Sequence, residues 1–233
     1  MSASIRPKHM AVAPGFKPLS FGKFFHRIWP VSRQAVKSPD LEHATQYALR
    51  RLAKELSPEL LYHSFWHTLN DVLPAAERLA GLEGVAGEDW LLLRTAVLYH
   101  DVGFVEQTKD HELISAGIVA EVLPRFGYSA SQVRRVEGMI LATRLPQSPG
   151  DLLDQIIADA DLDVLGREDF WPRNQALRAE IEALDKPMSD TAWYSSQLNF
   201  LQTHMYFTPS ARMLRDTQKR RNIALLQAHL SRV

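Results

Sequence analysis

Four short polar clusters interrupt apolar stretches of this 233-residue chain, and their side chains are of the kinds that hold metals or move protons. The first is Tyr62-His63-Ser64-Phe65-Trp66-His67-Thr68. His63 and His67 are four apart and share a face if a helix has begun by then. A histidine beside apolar residues is most often a satisfied core group, so this cluster carries little alone. The second closes a leucine-rich run, from Leu91 to Tyr99, with His100-Asp101-Val102-Gly103. Burying a carboxylate is costly unless it is paired or coordinates a metal, so Asp101 reads as an arginine's partner, a cap or a ligand. The third is His111-Glu112, with Ser115 one turn on. The fourth is Asp159-Ala160-Asp161-Leu162-Asp163, in an otherwise apolar helical stretch. There Asp159 and Asp163 share a face while Asp161 points elsewhere. Capping, or a hydrogen bond to a ligand histidine, accounts for part of this set.

Composition narrows the chemistry. There is no cysteine, which excludes disulfides and thiolate ligands, so any metal is held by nitrogen and oxygen. At 233 residues and 45% hydrophobic, the chain suffices for one sizeable core. It shows no apolar run of about 18 residues and no secretory pattern, and the expectation is a cytoplasmic protein. Net charge is zero, but residues 1–38 hold seven of the 27 Lys and Arg and no acid. The remainder therefore sets 20 bases against 27 acids, which gives no support to general nucleic-acid binding.

The elements that must position these clusters read as helices throughout, and the fold class is all-α. Residues 1–38 form a basic extension broken by Pro7, Pro14, Pro18 and Pro30, followed by one helical domain over 39–233. Within the extension, residues 21–29 make a short basic amphipathic turn. Docking onto the protein's own body is the preferred reading, with a membrane or partner contact as the alternative. Helices are expected at Leu41 to Leu56, from Ser57-Pro58-Glu59, and at Ser64 to Ala80 with a kink at Pro74. Glu88 to His100 is apolar nearly all round and must be buried. Others are expected at 111–126, 131–143, 151–165, 190–206 and 209–230.

In order (His, then His-Asp, then Asp, each on its own helix) these clusters resemble the HD-domain superfamily of metal-dependent phosphohydrolases. The resemblance covers roughly residues 60–210, and its strongest elements are His100-Asp101-Val102-Gly103 and Ala160-Asp161-Leu162. It implies a helical bundle with His67, His100, Asp101 and Asp161 as metal ligands, Asp161 being preferred to Asp159 for its Ala-Asp-Leu context. It further implies that Asp101 orients the nucleophile, while His111 or Glu112 serves proton transfer. In two-metal relatives a histidine like His111 serves the second ion, but Arg144 stands where a further histidine is expected. One ion is the reading, with a second as the alternative and Arg144 binding substrate phosphate.

Such a nitrogen and oxygen set suits manganese, iron, cobalt, nickel or zinc, with magnesium also to be considered. The resemblance implies hydrolysis of a phosphate ester, a nucleotide or a related small phosphorylated metabolite. A di-iron oxygenase and a non-catalytic nucleotide sensor are the alternatives. Trp66, Tyr99, Phe104, Trp171 and Trp193 are candidates to stack a base, though such residues are more often core. The late bases Arg212, Arg215, Lys219, Arg220 and Arg221 read chiefly as a solvated face.

Overall fold

Asp40 caps the first helix by accepting the His43 amide at 3.1 Å, and from there the chain is helical almost without pause. The computed structural model describes residues 38–185 and 187–232. The basic segment 1–37, with its expected turn over 21–29, lies outside the described residues. Helix α1 (Leu41–Glu55) buries Ala44, Ala48 and Leu52, a stripe of small and medium side chains spaced four apart. Ser57-Pro58-Glu59 does not start a helix: Leu60 N donates to Ser57 O in a turn, and Glu59 N is taken by the Ser57 hydroxyl. The capping hydroxyl closed a turn there, as serine also does outside helices.

The helix around Pro74 is more unusual than a kink. Residues His67–Val72 are wound as a π-helix that passes directly into α2 (Leu73–Leu82), with Pro74 in its first turn. Proline has no N–H to offer four residues back, and Leu73 N instead reaches Thr68 O, widening the turn. Helix α3 (Gly87–Tyr99) is the central element and packs against α1, α2, α5 (Ala130–Ala142) and α6 (Leu152–Asp161). Leu93, Ala96, Val97 and Tyr99 on it are wholly buried, as its apolar circumference requires. Each such large apolar side chain stabilises the fold by about 1.5–3 kcal/mol.

Between α3 and α5 run a 3-10 turn (Val102–Val105), helix α4 (His111–Val122) and a second 3-10 turn (Leu123–Phe126). Helix α5 opens on a capping box between Ser129 and Gln132. The expected helix over 151–165 divides, α6 giving way to a 3-10 turn over Asp163–Gly166. Helix α7 (Phe170–Leu184) was not expected from the sequence; α8 (Asp190–Thr203) and α9 (Pro209–Leu230) close the chain. Gly166 lets α9 cross closely, since a Cβ there would lie 2.6 Å from the Arg215 carbonyl oxygen. Among the described residues there is no strand, and no helix is long and apolar enough to cross a membrane.

Candidate metal centre

Three helix ends deliver donors to one buried point. Helix α3 carries His100 past its last turn, where the ring Nδ1–H donates to Val97 O at 2.7 Å. A carbonyl only accepts, so this bond fixes the tautomer and leaves Nε2 as the lone-pair nitrogen. The π-wound segment presents His67, and the C-terminal end of α6 presents Asp161. The ligand atoms of His67, His100 and Asp161 all lie within 4.8 Å of one another. His67 Nε2 is 3.3 Å and His100 Nε2 3.5 Å from Asp161 Oδ1. Asp101 joins them, its Oδ2 lying 3.2 Å from His100 Nε2 and 3.8 Å from His67 Nε2.

These residues fit a cation. His100 Nε2 and Asp101 Oδ2 are buried polar atoms with no hydrogen-bond partner, though they face the same point. Orphaned polar groups at this depth are expensive, and a divalent ion among them would satisfy both. Electrostatics point the same way. Burial opposes ionisation of Asp101, yet the His100 and His111 imidazoles hold it well below the usual carboxylate range. Asp161 is likewise depressed against burial, by the adjacent His100 and His67 imidazoles. In turn, His67 and His100 are raised against burial by these carboxylates. The cluster is a negative well in which each carboxylate demands a positive neighbour.

A surrounding layer holds the donors in place. Behind His67, Asp71 Oδ2 lies 3.6 Å from Nδ1, and Asp71 also pairs with Arg173 and, at 2.7 Å, with Arg167. Beside Asp101, His111 Nε2 faces the second oxygen, Oδ1, at 3.4 Å. His111 reaches that place because α4 nearly touches the 3-10 turn after Asp101. Gly103 N donates to Ser115 Oγ at 2.8 Å, and Ser115 Oγ donates to His100 O at 2.6 Å. A Cβ at Gly103 would lie 2.9 Å from Ser115 N and nearer still to the His111 carbonyl oxygen. Phe104 stacks on His111 with ring centroids 3.8 Å apart and on His63 at 4.6 Å.

The remaining expected residues are distributed unevenly. Glu112 is buried at the rim, 3.6 Å from His111 Nδ1. Arg144 is half exposed and pairs with Asp110 at 2.5 Å, outside the residues that line the cavity. Asp110 immediately precedes His111 and holds a left-handed backbone, φ 54°, so the pair pins the entry to α4. Asp159 is turned away from the cluster and accepts from Phe207 N, Thr208 N and the Thr208 hydroxyl at 2.7–2.8 Å. Asp163 pairs with Arg78 and Arg215. Of the late bases, Arg212 and Lys219 bind backbone carbonyls, whereas Arg220 and Arg221 are exposed.

A cavity of about 430 Å³ opens over the cluster, with Asp101, His111 and Asp161 in its floor. Two groups in or behind its wall were missed by sequence reasoning. His63 Nδ1 lies 2.5 Å from Glu180 Oε1, and Glu180, buried on α7, also accepts the Tyr62 and His63 amides. Burial opposes ionisation of Glu180, but these hydrogen bonds keep it below the usual range. Arg173, also on α7, is the guanidinium that lines the cavity, and it lies over the Tyr62 ring at 5.1 Å. Both come from a helix whose Phe170, Asn174, Leu177 and Ile181 repeat was the available signal.

An all-α fold with two imidazoles and two carboxylates at a buried point defines a helical metal-binding domain. The model of the HD domain family matches residues 43–163, just over half of the chain. The chain belongs to this family, part of the metal-dependent phosphohydrolase superfamily. Searches of curated proteins and of solved structures found no match. All four clustered donors fall inside the matched segment; Arg173, Glu180 and the rest of α7 and α8 fall beyond it.

Proposed function

We propose that this protein hydrolyses a phosphate ester, with one divalent ion held by His67, His100, Asp101 and Asp161. The observation that carries this reading is the convergence of partnerless His100 Nε2 and Asp101 Oδ2 with His67 and Asp161 under an open cavity. Such an ion, when bound, supplies hydroxide by lowering the pKa of water from 15.7 toward about 7, and neutralises phosphoryl charge.

The chain's own groups supply the rest. His111, facing Asp101 Oδ1, orients that carboxylate so that Oδ2 stays directed at the ion. Arg173 meets the phosphoryl oxygens from the α7 side, its position set by Asp71. His63 protonates the leaving oxygen: Glu180 holds Nδ1 and leaves Nε2 for the substrate. Glu112 backs His111 and does not itself need to touch substrate.

The test combines metal analysis with a panel of phosphate esters assayed under manganese, cobalt, zinc and magnesium. Phosphate release by the loaded protein is expected, and His100→Ala should lose both the ion and turnover while keeping its helical circular dichroism. No release from any ester with any of these metals, or a His100→Ala protein with full metal and activity, refutes the proposal.

A further inference from the structure

We infer that the substrate is the phosphate ester of an apolar alcohol, its hydrocarbon body lying between α7 and α8. This inference rests on the hydrolase reading for the reaction, but not for the binding. In hydrolysis the water oxygen would bond to phosphorus as the bond to the alkoxy oxygen breaks, one proton of the water going to that oxygen to release the alcohol and the other staying with inorganic phosphate.

The cavity has two unlike halves. Its floor carries the carboxylates and imidazoles, with Arg173 at one side. The rest of the lining includes the apolar side chains of Leu165, Phe170, Leu177, Ile181 and Phe200, most of them on α7 and α8. Polar side chains in that outer half are Asn174, Ser196 and Gln197, and much of their hydrogen-bonding capacity is spent within the protein. Asn174 Nδ2 donates to Gln197 Oε1 at 2.6 Å, and Asn174 Oδ1 accepts from Trp193 Nε1 at 3.0 Å. The Ser196 hydroxyl donates to Trp193 O at 2.7 Å.

A nucleobase brings several donors and acceptors and needs partners for them, because buried polar groups left unpaired are penalised. This half offers such an edge little. The stacked rings His63, Phe104 and His111 are already in contact with one another, which leaves Phe170 and Phe200 as the aromatic rings of the outer half. Tyr99 and Trp193, candidates to stack a base, are fully buried in the core. A hydrocarbon chain asks only for dry surface, which this half supplies. The volume, about 430 Å³, is within the roughly 300–1,000 Å³ range of small-molecule sites. The apolar walls contributed by α7 and α8 lie beyond the segment matched by the family. The chemistry is thus placed by helices inside the family match and the substrate's body by helices outside it.

The experiment measures binding and turnover separately on the full chain loaded with manganese. Calorimetric titration with n-alkylphosphonates of two to ten carbons reads binding, and the matching alkyl phosphates read hydrolysis. Affinity is expected to rise about fourfold per methylene, equivalent to about 0.8 kcal/mol, and then to level as the cavity fills. AMP should bind more weakly than octylphosphonate. Leu177→Asn, and the milder Ile181→Ala, should flatten the chain-length dependence while metal content stays unchanged. An affinity independent of chain length, no binding across the series, or AMP binding tighter than octylphosphonate overturns the inference. If phosphonates bind with the expected dependence and no phosphate is hydrolysed, the pocket assignment stands and the hydrolase reading falls.

Discussion

Replacing Gly103 by alanine is the sharpest local test of how this centre is built. The added methyl would lie 2.9 Å from Ser115 N and His111 C, and nearer to the His111 carbonyl oxygen, where ordinary contact begins at 3.4 Å. Because the obstacle is backbone, no side chain can swing aside, and α4 must retreat by roughly an ångström or more. Overpacking of this kind costs about 1–3 kcal/mol. The same movement stretches the buried Gly103 N to Ser115 Oγ bond, and a buried group left unsatisfied costs a further 1–3 kcal/mol or so. The sum is about 2–6 kcal/mol, or a Tm lower by roughly 4–24 °C for a domain of this size. His111 would also move away from Asp101, loosening the carboxylate. The assay is thermal unfolding with metal content measured on the same preparation. Ser115→Ala, which removes only the hydroxyl, should account for the hydrogen-bond part alone. A Gly103→Ala protein with an unchanged Tm and full metal content would refute the close approach of α4 as the device that positions His111.

Chelation should lower Tm, and returning the ion at about a hundred times its Kd should restore about 2.7 kcal/mol; an unchanged Tm would mean that no ion sits among these carboxylates. Asp159→Ala should destabilise the fold by about 3 kcal/mol or more, because two backbone amides and a hydroxyl lose their acceptor, yet leave metal content intact. Loss of metal in that variant would contradict the separation of Asp159 from Asp161. His63→Asn should reduce kcat by about 10²–10⁴ without removing metal, as expected for a proton donor outside the ligand set. His204 supplies the pH test. Burial and Lys219 push its imidazole down to about 4, and neither ring nitrogen has a partner. The unfolded chain, with an ordinary value near 6.5, then binds the extra proton, so stability falls as pH drops from about 6.5 toward 4, by about 3 kcal/mol at most. Urea unfolding across this window should show that slope in the native protein and a much weaker one in His204→Leu.

The sequence by itself determined the helical class and most helix limits, and it singled out His67, His100, Asp101 and Asp161, which the structure brings together. The reason is local: the periodicity of α1, the apolar run of α3 and the capping residues act within a few positions. A buried helix ending in His100-Asp101 must also satisfy its polar groups somehow. Spacing alone could not separate Asp159, Asp161 and Asp163, and the preference for Asp161 came from the family resemblance. Their spacing fixes only directions around a helix axis, and what lies in each direction depends on packing. Asp161 meets His67 and His100, Asp159 meets the segment before α9, and Asp163 meets two arginines.

Tertiary structure alone decided the rest of the centre. Arg144 had the right charge to bind substrate, but it is engaged by Asp110, a residue 34 positions away in the chain. Arg173 lines the cavity and Glu180 holds His63 from a helix that follows the matched segment and is joined to His63 across 117 positions. No local rule pairs residues so distant; only the docking of α7 brings them together. At least one residue from each of the four clusters therefore meets the others at one point. What covers that site, and so what it accepts, is set by helices whose role no motif announces.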